Sequence, residues 1–232
     1  MTVYISAPFG NYIRTKNTRS VIGTFTLERR TGLLRQIATT LRYRDGAWYN
    51  ALGLRNPGIE FGLKYYYRSE KDVLSLAAVQ SGDWERLNHI VPDDVDVELN
   101  LSCPNIDHFD DYTAGSEVFV NDKRKVIAKL SPLTTFSSVE DLYRRGFRTF
   151  HACNTLPTEH GGMSGKGLKI YVEQTIDFIE RIDPECEIIA GGGIQTLTDI
   201  DDYARAGATS FALGTVCFNP LKLYKLLKDI DG

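Results

Sequence analysis

Eight apolar, β-rich segments recur along this chain of 232 residues, bounded by glycine, proline or asparagine. Amphipathic stretches with a helical period separate the later segments. Nearly continuous apolar strands that alternate with helices indicate a parallel sheet buried on both faces. Eight strands in this rhythm favour a closed (β/α)8 TIM barrel of the α/β class over an open doubly wound sheet. The predicted strands are Val3–Ala7, Val21–Leu27, Val73–Val79, Val95–Leu101, Val126–Leu130, Phe147–Ala152, Glu187–Ala190 and Ser210–Val216.

Four later stretches predict helices, from a capping signal in three of them and from apolar residues at the helical period in Leu168–Ile182. Ser137-Ser138, Thr196 or Thr198, and Asn219-Pro220 are the expected caps of three of them. The predicted helices are Val139–Arg145, Leu168–Ile182, Leu197–Ala206 and Leu221–Ile230.

The early part of the chain is less regular, so its helices are expected to be shortened or irregular. Arg29–Asn50, after the second strand, is polar, rich in arginine and weakly periodic, and we expect an inserted hairpin over the barrel mouth. No low-complexity linker interrupts residues 1–232, which predicts a single domain.

Composition excludes several classes of function. The net charge is −3 with acidic and basic residues interspersed, which gives no basic surface for nucleic acid. No apolar run has the length of a membrane span, and the first residues lack the layout of a signal peptide. The four cysteines are far apart, unlike a disulfide framework or a zinc site. We therefore expect a cytoplasmic protein with no metal site.

Polar residues follow the predicted strands where reactive groups of a barrel lie, at the carboxyl ends. The fourth strand ends in Asn100, Ser102, Cys103 and Asn105. Lys129 lies within the fifth strand, where burying its charge is costly unless an anion meets it. The later strands end in Asn154-Thr155, Gly191-Gly192-Gly193 and Gly214-Thr215.

Glycine at two adjacent strand ends favours a phosphate site, because backbone N–H groups ahead of a helix N-terminus can face an anion. The spacing of Gly191-Gly192-Gly193 does not fit a dinucleotide-binding fingerprint. Gly161–Gly167 resembles a P-loop superficially, but its spacing is one residue short and no Ser or Thr follows Lys166. We interpret it as a flexible, amide-rich loop that touches a ligand.

The remaining histidines and cysteines show no catalytic pattern. A structural or surface role is expected for His89, His108, His151 and His160, and a packing role for Cys153, Cys186 and Cys217. Cys103 differs, because Pro104 ends the strand and polar residues flank the thiol.

Glu98–Asn105, which reads ELNLSCPN, resembles the signature of the dihydroorotate dehydrogenases, the flavin mononucleotide (FMN) barrel enzymes of pyrimidine synthesis. Other segments match that family in the same order. They are Asn50–Leu54, Asn56–Gly58, Ile127–Pro132, Asn154-Thr155, Gly161–Gly165, Ile189–Ile194 and Gly214-Thr215.

The resemblance implies an FMN-binding barrel in which Cys103 is the base that removes the C5 proton of dihydroorotate, while a hydride leaves C6 for flavin N5. Lys129 would be catalytic too, stabilising the reduced flavin at its pyrimidine edge. Cysteine as the base is typical of the soluble branch of the family. The implied substrate-binding residues are Asn50, Leu52, Gly53, Leu54, Asn100, Asn105, Asn154 and Thr155. The implied cofactor-binding residues are Ala7, Asn100, Lys129, Asn154, Ser164, Gly165, Gly192, Gly193, Gly214 and Thr215.

The chain departs from the family pattern at one site residue and in two loops. The family usually carries a lysine before the Thr-x-Thr-Leu segment of the second strand, and here Gly23 stands in that place. We expect either another cation, with Arg29 and Arg30 nearest in sequence, or weaker substrate binding and a slower reaction. The loops after Asn105 and Asn154 are also short, which would shield the site less well from water.

The sequence therefore predicts an oxidoreductase that converts (S)-dihydroorotate to orotate in de novo UMP synthesis. Two alternatives stay open: a catalytically impaired flavin- or phosphate-binding barrel, and a related flavin oxidoreductase acting on another dihydropyrimidine or on dihydrouridine. Fumarate is favoured as the electron acceptor, because an NAD-linked enzyme would need an iron–sulfur partner and the chain has no cluster-binding cysteine pattern. A homodimer is expected by analogy alone.

Overall fold

Eight parallel strands form a closed barrel in the computed structural model, which describes residues 1–101 and 113–231. In chain order the strands of these residues are β1 (Thr2–Ile5), β2 (Thr18–Phe25), β3 (Arg42–Arg44), β4 (Ala47–Asn50), β5 (Asp72–Leu76), β6 (Val97–Asn100), β7 (Val126–Lys129), β8 (Thr149–Ala152), β9 (Leu156–Thr158), β10 (Gly161–Gly165), β11 (Glu187–Gly191) and β12 (Ser210–Leu213). The order around the barrel is β1, β12, β11, β8, β7, β6, β5 and β2. Each of the eight predicted segments supplies one barrel strand, so the predicted fold is confirmed.

The barrel interior is layered, because alternate residues of each strand point inward. Near the amino ends of the strands, Arg19 pairs with Asp96 at 2.7 Å and Lys125 pairs with Glu187 at 2.5 Å. An apolar layer follows, and a second polar layer lies above it at the carboxyl ends. The apolar layer consists of Tyr4, Val21, Val73, Ile127, Ile189 and Ala212. The barrel therefore has a closed floor beneath its upper polar layer.

Seven α-helices accompany the barrel in the part of the chain that the structure describes. The first three contain only seven or eight residues, as the irregular early sequence predicts. The four predicted later helices are present. The helices are α1 (Leu33–Thr40), α2 (Ile59–Tyr65), α3 (Asp83–Ile90), α4 (Phe136–Arg144), α5 (Lys169–Ile182), α6 (Leu197–Arg205) and α7 (Pro220–Asp231).

The structure identifies the N-terminal caps of helices α4 and α6. The sequence predicted the wrong cap for α4 and left two candidate caps for α6. Helix α4 begins after Thr135, whose side chain accepts a hydrogen bond from the Ser138 N–H, so the expected Ser137-Ser138 cap is wrong. Helix α6 has a capping box in which Thr196 accepts from the Asp199 N–H and the Asp199 carboxylate accepts from the Thr196 N–H. The cap of α6 is therefore Thr196 and not Thr198.

A second, four-stranded antiparallel sheet in the order β3, β4, β10, β9 lies at the barrel mouth. The predicted hairpin within Arg29–Asn50 is present only as β3 and β4, because the first half of that segment forms helix α1. The predicted loop Gly161–Gly167 is also corrected, since its first five residues form strand β10, paired with β4. Strand β10 aligns Ser164 with Trp48, and pairing so distant in sequence leaves no local signal.

Candidate active site

A cavity of about 560 Å³ lies between the carboxyl ends of the barrel strands and the second sheet. Its volume is typical of small-molecule sites. Every predicted site residue that the structure describes lines it, whereas Cys103 and Asn105 lie outside the described residues. The predicted residues brought together are Ala7, Asn50, Leu52, Gly53, Leu54, Asn100, Lys129, Asn154, Thr155, Ser164, Gly165, Gly192, Gly193, Gly214 and Thr215.

Glu98 is the centre of the polar layer beneath this cavity. Its carboxylate accepts hydrogen bonds from Lys129 Nζ at 3.4 Å and from the Ser75 hydroxyl at 3.0 Å. The other carboxylate oxygen lies 2.7 Å from Nδ1 of His151. The Glu98 side chain is 1% exposed, so these partners replace the water that a carboxylate needs.

The charges of this cluster follow from its burial. Burial by itself would raise the pKa of Glu98, but the charge of Lys129 and hydrogen bonds from His151 and Ser75 lower that pKa to about 2. Burial lowers the pKa of His151, and Lys129 lowers it further against the opposing effect of Glu98. Glu98 is therefore ionised and His151 neutral at neutral pH. Nδ1–H of His151 donates to Glu98, which leaves Nε2 as a hydrogen-bond acceptor.

Two asparagines lie directly above this cluster. Asn100, Lys129 and His151 occupy aligned positions on three neighbouring strands. The Asn154 side-chain amide donates to Oδ1 of Asn100 at 3.0 Å, and its own Oδ1 accepts from the Thr155 N–H at 2.9 Å. These bonds fix which end of each amide is donor and which is acceptor, so the floor can recognise a ring that carries both.

The glycine-containing ends of β11 and β12 are adjacent, as predicted for a phosphate site. A hydrogen bond of 3.1 Å from Gln195 Nε2 to the Thr215 hydroxyl joins the two ends. A Cβ at Gly214 would find no described neighbour nearer than 3.9 Å, so space is open beside it. The helix N-terminus expected to assist is not free, because Asp199 caps α6. A phosphate would therefore meet the strand ends and not helix α6.

Sequence reasoning missed His151, which was assigned a structural or surface role and instead lines the cavity. Glu98 belongs to the ELNLSCPN signature, which gives it no role of its own. A signal was available for Glu98, since a strand residue two positions before an inward-facing one points the same way. Glu98 precedes Asn100 by two positions on β6, whereas His151 precedes Asn154 by three, so alternation along β8 does not single out His151.

An aromatic wall, composed of Phe9, Trp48 and Phe218, closes another side of the cavity and was also missed. The Trp48 and Phe218 rings stack with centroids 4.0 Å apart, and the Phe9 ring meets Phe218 edge-on at 4.9 Å. These residues come from three distant parts of the chain, so spacing in sequence could not have grouped them. These ring contacts pack the second sheet, through Trp48, against the barrel.

The structure explains why no side chain stands at Gly23. Its φ is +112°, and a Cβ there would lie 2.6 Å from the Ser75 carbonyl oxygen. Neither expected substitute cation lines the cavity. Arg30 donates to the Gly53 carbonyl at 3.3 Å, and exposed Arg29 lies on a groove outside the barrel. The expectation that Arg29 or Arg30 replaces the lysine directly is therefore wrong.

The three described cysteines are buried and unpaired. Burial raises the pKa of the Cys153 thiol to about 12, although Cys153 lines the cavity. A thiol with this pKa is protonated and unreactive at neutral pH.

Comparison with known proteins agrees with this architecture. A family model described as dihydroorotate dehydrogenase matches residues 142–230. A protein of Aquifex aeolicus named "Putative dihydroorotate dehydrogenase A (fumarate)" is 30% identical, in an alignment that covers 79% of this chain and 71% of the relative. The chain belongs to the dihydroorotate dehydrogenase family. The catalytic subunit of dihydroorotate dehydrogenase B (NAD(+)) from Lachnoclostridium phytofermentans is 27% identical, covering 80% of this chain and 73% of the relative.

Solved structures of this family share the fold. Ligand-free dihydroorotate dehydrogenase from Eimeria tenella superposes with a TM-score of 0.71 at 17% identity, covering 99% of this chain and 82% of the other. The same enzyme in complex with ferulenol superposes with a TM-score of 0.69 at 15% identity, covering 99% of this chain and 80% of the other. Dihydroorotate dehydrogenases are flavoenzymes and oxidoreductases acting on CH–CH bonds, which confirms the predicted class of enzyme. None of the helices in residues 1–101 and 113–231 has both the length and the apolar character needed to cross a bilayer.

Proposed function

We propose that this chain binds FMN and oxidises (S)-dihydroorotate to orotate in de novo UMP synthesis. The observation that carries the proposal is the arrangement of Asn100, Asn154 and Lys129 on the floor of one cavity whose rim holds two adjacent glycine ends. Dihydroorotate is a ring of alternating amide donors and acceptors. Oriented asparagine amides match such a ring, and the glycine ends suit the phosphate of a flavin nucleotide.

The residues of the cavity fit FMN. Gly192, Gly193, Gly214 and Thr215 would hold its phosphate, because the space beside Gly214 is open. Ala7, Ser164 and Gly165 line the same cavity and would contact the cofactor along its length. When bound, FMN supplies the acceptor for a hydride.

Lys129 would direct positive charge toward the flavin, and Glu98 holds it there. The Lys129 side chain is 9% exposed and its ammonium group donates to the Glu98 carboxylate, so its position at the cavity floor is constrained. Fixed charge in a site that excludes water stabilises electron density that arrives there. Neutral His151 would leave Nε2 as an acceptor beside Gly191.

Cys103, which lies outside the described residues, would be the base of the reaction. Its thiolate would take the C5 proton, while C6 loses a hydride with both electrons of its C–H bond. The electron pair of the broken C5–H bond then forms the C5=C6 double bond of orotate. The resemblance of ELNLSCPN to the family signature supports this role, and the raised pKa of Cys153 excludes that second thiol as an equal candidate.

Fumarate is the proposed electron acceptor. The Aquifex relative, which is 30% identical to this chain, carries fumarate in its name. The proposed location is the cytoplasm, and the proposed assembly is a homodimer by analogy with the family.

The cofactor and the product provide the test. Flavin released by denaturing the purified protein should be FMN, and dihydroorotate with fumarate should yield orotate and succinate in equal amounts. Turnover with NAD+ in place of fumarate would contradict the proposed electron acceptor and leave the rest of the proposed function intact. Release of a different flavin, or FMN binding with no orotate formed under any acceptor, would overturn the proposed function.

A further inference from the structure

We propose that Arg55 is the cation that binds the carboxylate of the substrate, an inference that rests on the proposed function. Arg55 follows directly after Leu52, Gly53 and Leu54, which are predicted to contact the substrate, and its half-buried side chain lines the cavity. Arg55 would take over the role of the lysine that the family usually carries at the position of Gly23, where the backbone leaves no room for a side chain.

The hydrogen bonds of Arg55 leave most of its guanidinium unused. Nη1 donates to the Thr31 carbonyl at 3.2 Å, whereas Nε is buried and has no hydrogen-bond partner among the residues that the structure describes. No carboxylate in residues 1–101 or 113–231 lies within 4 Å of this guanidinium. A buried N–H of a charged group without a partner is costly, so the group is suited to a ligand that supplies an acceptor.

The charge of the cavity wall favours an anion. The described lining contains no aspartate or glutamate, and its permanent cations are Arg55 and Lys129. Lys129 is balanced by Glu98, at 3.4 Å. Within the described lining, no acidic side chain balances the charge of Arg55, which suits it to an anionic ligand. The carboxylate of dihydroorotate is the anionic group of the proposed substrate, and a planar guanidinium can bind it through two parallel hydrogen bonds.

The loop holds Arg55 in a fixed position. The Arg55 N–H donates to the Leu52 carbonyl at 3.3 Å, which closes a turn whose central residues, Gly53 and Leu54, both have positive φ. Arg30 braces this turn through the Gly53 carbonyl. The backbone of the next residue, Asn56, pairs with that of Arg30 in both directions. The backbone that carries the guanidinium is thereby fixed before the ligand arrives, which reduces the entropic cost of binding.

Calorimetric titration of FMN-loaded protein with orotate and with uracil, which lacks the carboxylate, tests this role without turnover. Arg55→Gln should weaken orotate binding by about 10- to 100-fold and leave uracil binding unchanged, because only orotate uses the guanidinium. Arg55→Lys keeps the charge and should recover part of the orotate affinity. The matched control is Arg29→Gln, which removes an exposed arginine outside the cavity and should leave both affinities at the wild-type value.

The failures of the two proposals are distinguishable. Wild-type affinity for orotate in Arg55→Gln, with FMN content unchanged, overturns the role of Arg55 and leaves the proposed function intact. Equal losses for orotate and uracil also overturn it, since the variant has then disturbed the cavity as a whole. A wild-type protein that binds FMN but not orotate overturns both proposals.

Discussion

Nδ1 of His151 lies 2.7 Å from Oε2 of Glu98, within the barrel and directly beneath the candidate active site. The same carboxylate accepts from Lys129, so one acidic residue orients an imidazole and an ammonium group on two neighbouring strands. Glu98 thus joins the core of the barrel to the floor of the cavity. Changes to this cluster should affect stability and flavin chemistry together.

Lys129→Met should destabilise the fold strongly, because it removes the cation that balances Glu98. Loss of one partner of a buried ion pair costs about 3–5 kcal/mol. Urea unfolding followed by circular dichroism measures the change. The double variant Glu98→Gln/Lys129→Met removes both charges and should recover part of the loss. A single variant within about 0.5 kcal/mol of wild type would show that the pair contributes nothing to stability.

Acid should destabilise the protein through Glu98 in a defined range of pH. The folded pKa of Glu98, about 2, is below its ordinary value of 4.5, so its contribution is present above pH 4.5 and is lost as pH falls toward 2. The free energy of unfolding should fall over this range. Glu98→Gln should lack this component of the pH dependence, and identical curves for both proteins would contradict the assignment.

Two glycine substitutions should separate cofactor binding from folding. At Gly214 a Cβ has open space, so Gly214→Ala should fold with stability within about 1 kcal/mol of wild type but bind FMN at least about tenfold more weakly. At Gly191 a Cβ would come within 2.3 Å of His151 Nε2, so Gly191→Ala should itself destabilise by about 1–3 kcal/mol. Urea unfolding and FMN fluorescence quenching measure the two effects. Unchanged FMN affinity in Gly214→Ala would show that the phosphate does not bind beside Gly214.

Thr196→Ala should cost about 1 kcal/mol of stability, because it removes the side-chain cap of α6. FMN affinity should stay at the wild-type value, since the capped helix terminus is not part of the proposed phosphate site. Thr198→Ala is the control, an exposed threonine in the same turn outside the capping box. Weaker FMN binding by Thr196→Ala under conditions in which the variant is fully folded would show that helix α6 contributes to the phosphate site.

The sequence predicted the barrel well, because each barrel strand is buried on both faces and appears as a short apolar run. It predicted the second sheet poorly. Gly161–Gly165 has low β-propensity and becomes a strand by pairing with Ala47–Asn50 on one side and Leu156–Thr158 on the other. The resemblance supplied the cavity-lining residues, whereas Arg55 carries a role that depends on three-dimensional neighbours: the strained position of Gly23, the turn at Gly53 and the absence of acidic residues in the described wall.

Reduction of the bound flavin by dihydroorotate tests the central claim most directly. The FMN-loaded protein is mixed anaerobically with dihydroorotate, and the visible flavin absorption is followed. The wild type and Cys186→Ala, which removes a buried thiol outside the cavity, should lose this absorption rapidly with one orotate formed per FMN. Cys103→Ala should react at least about 100-fold more slowly, because the base is missing. A wild-type protein that keeps its flavin absorption under dihydroorotate would contradict the account.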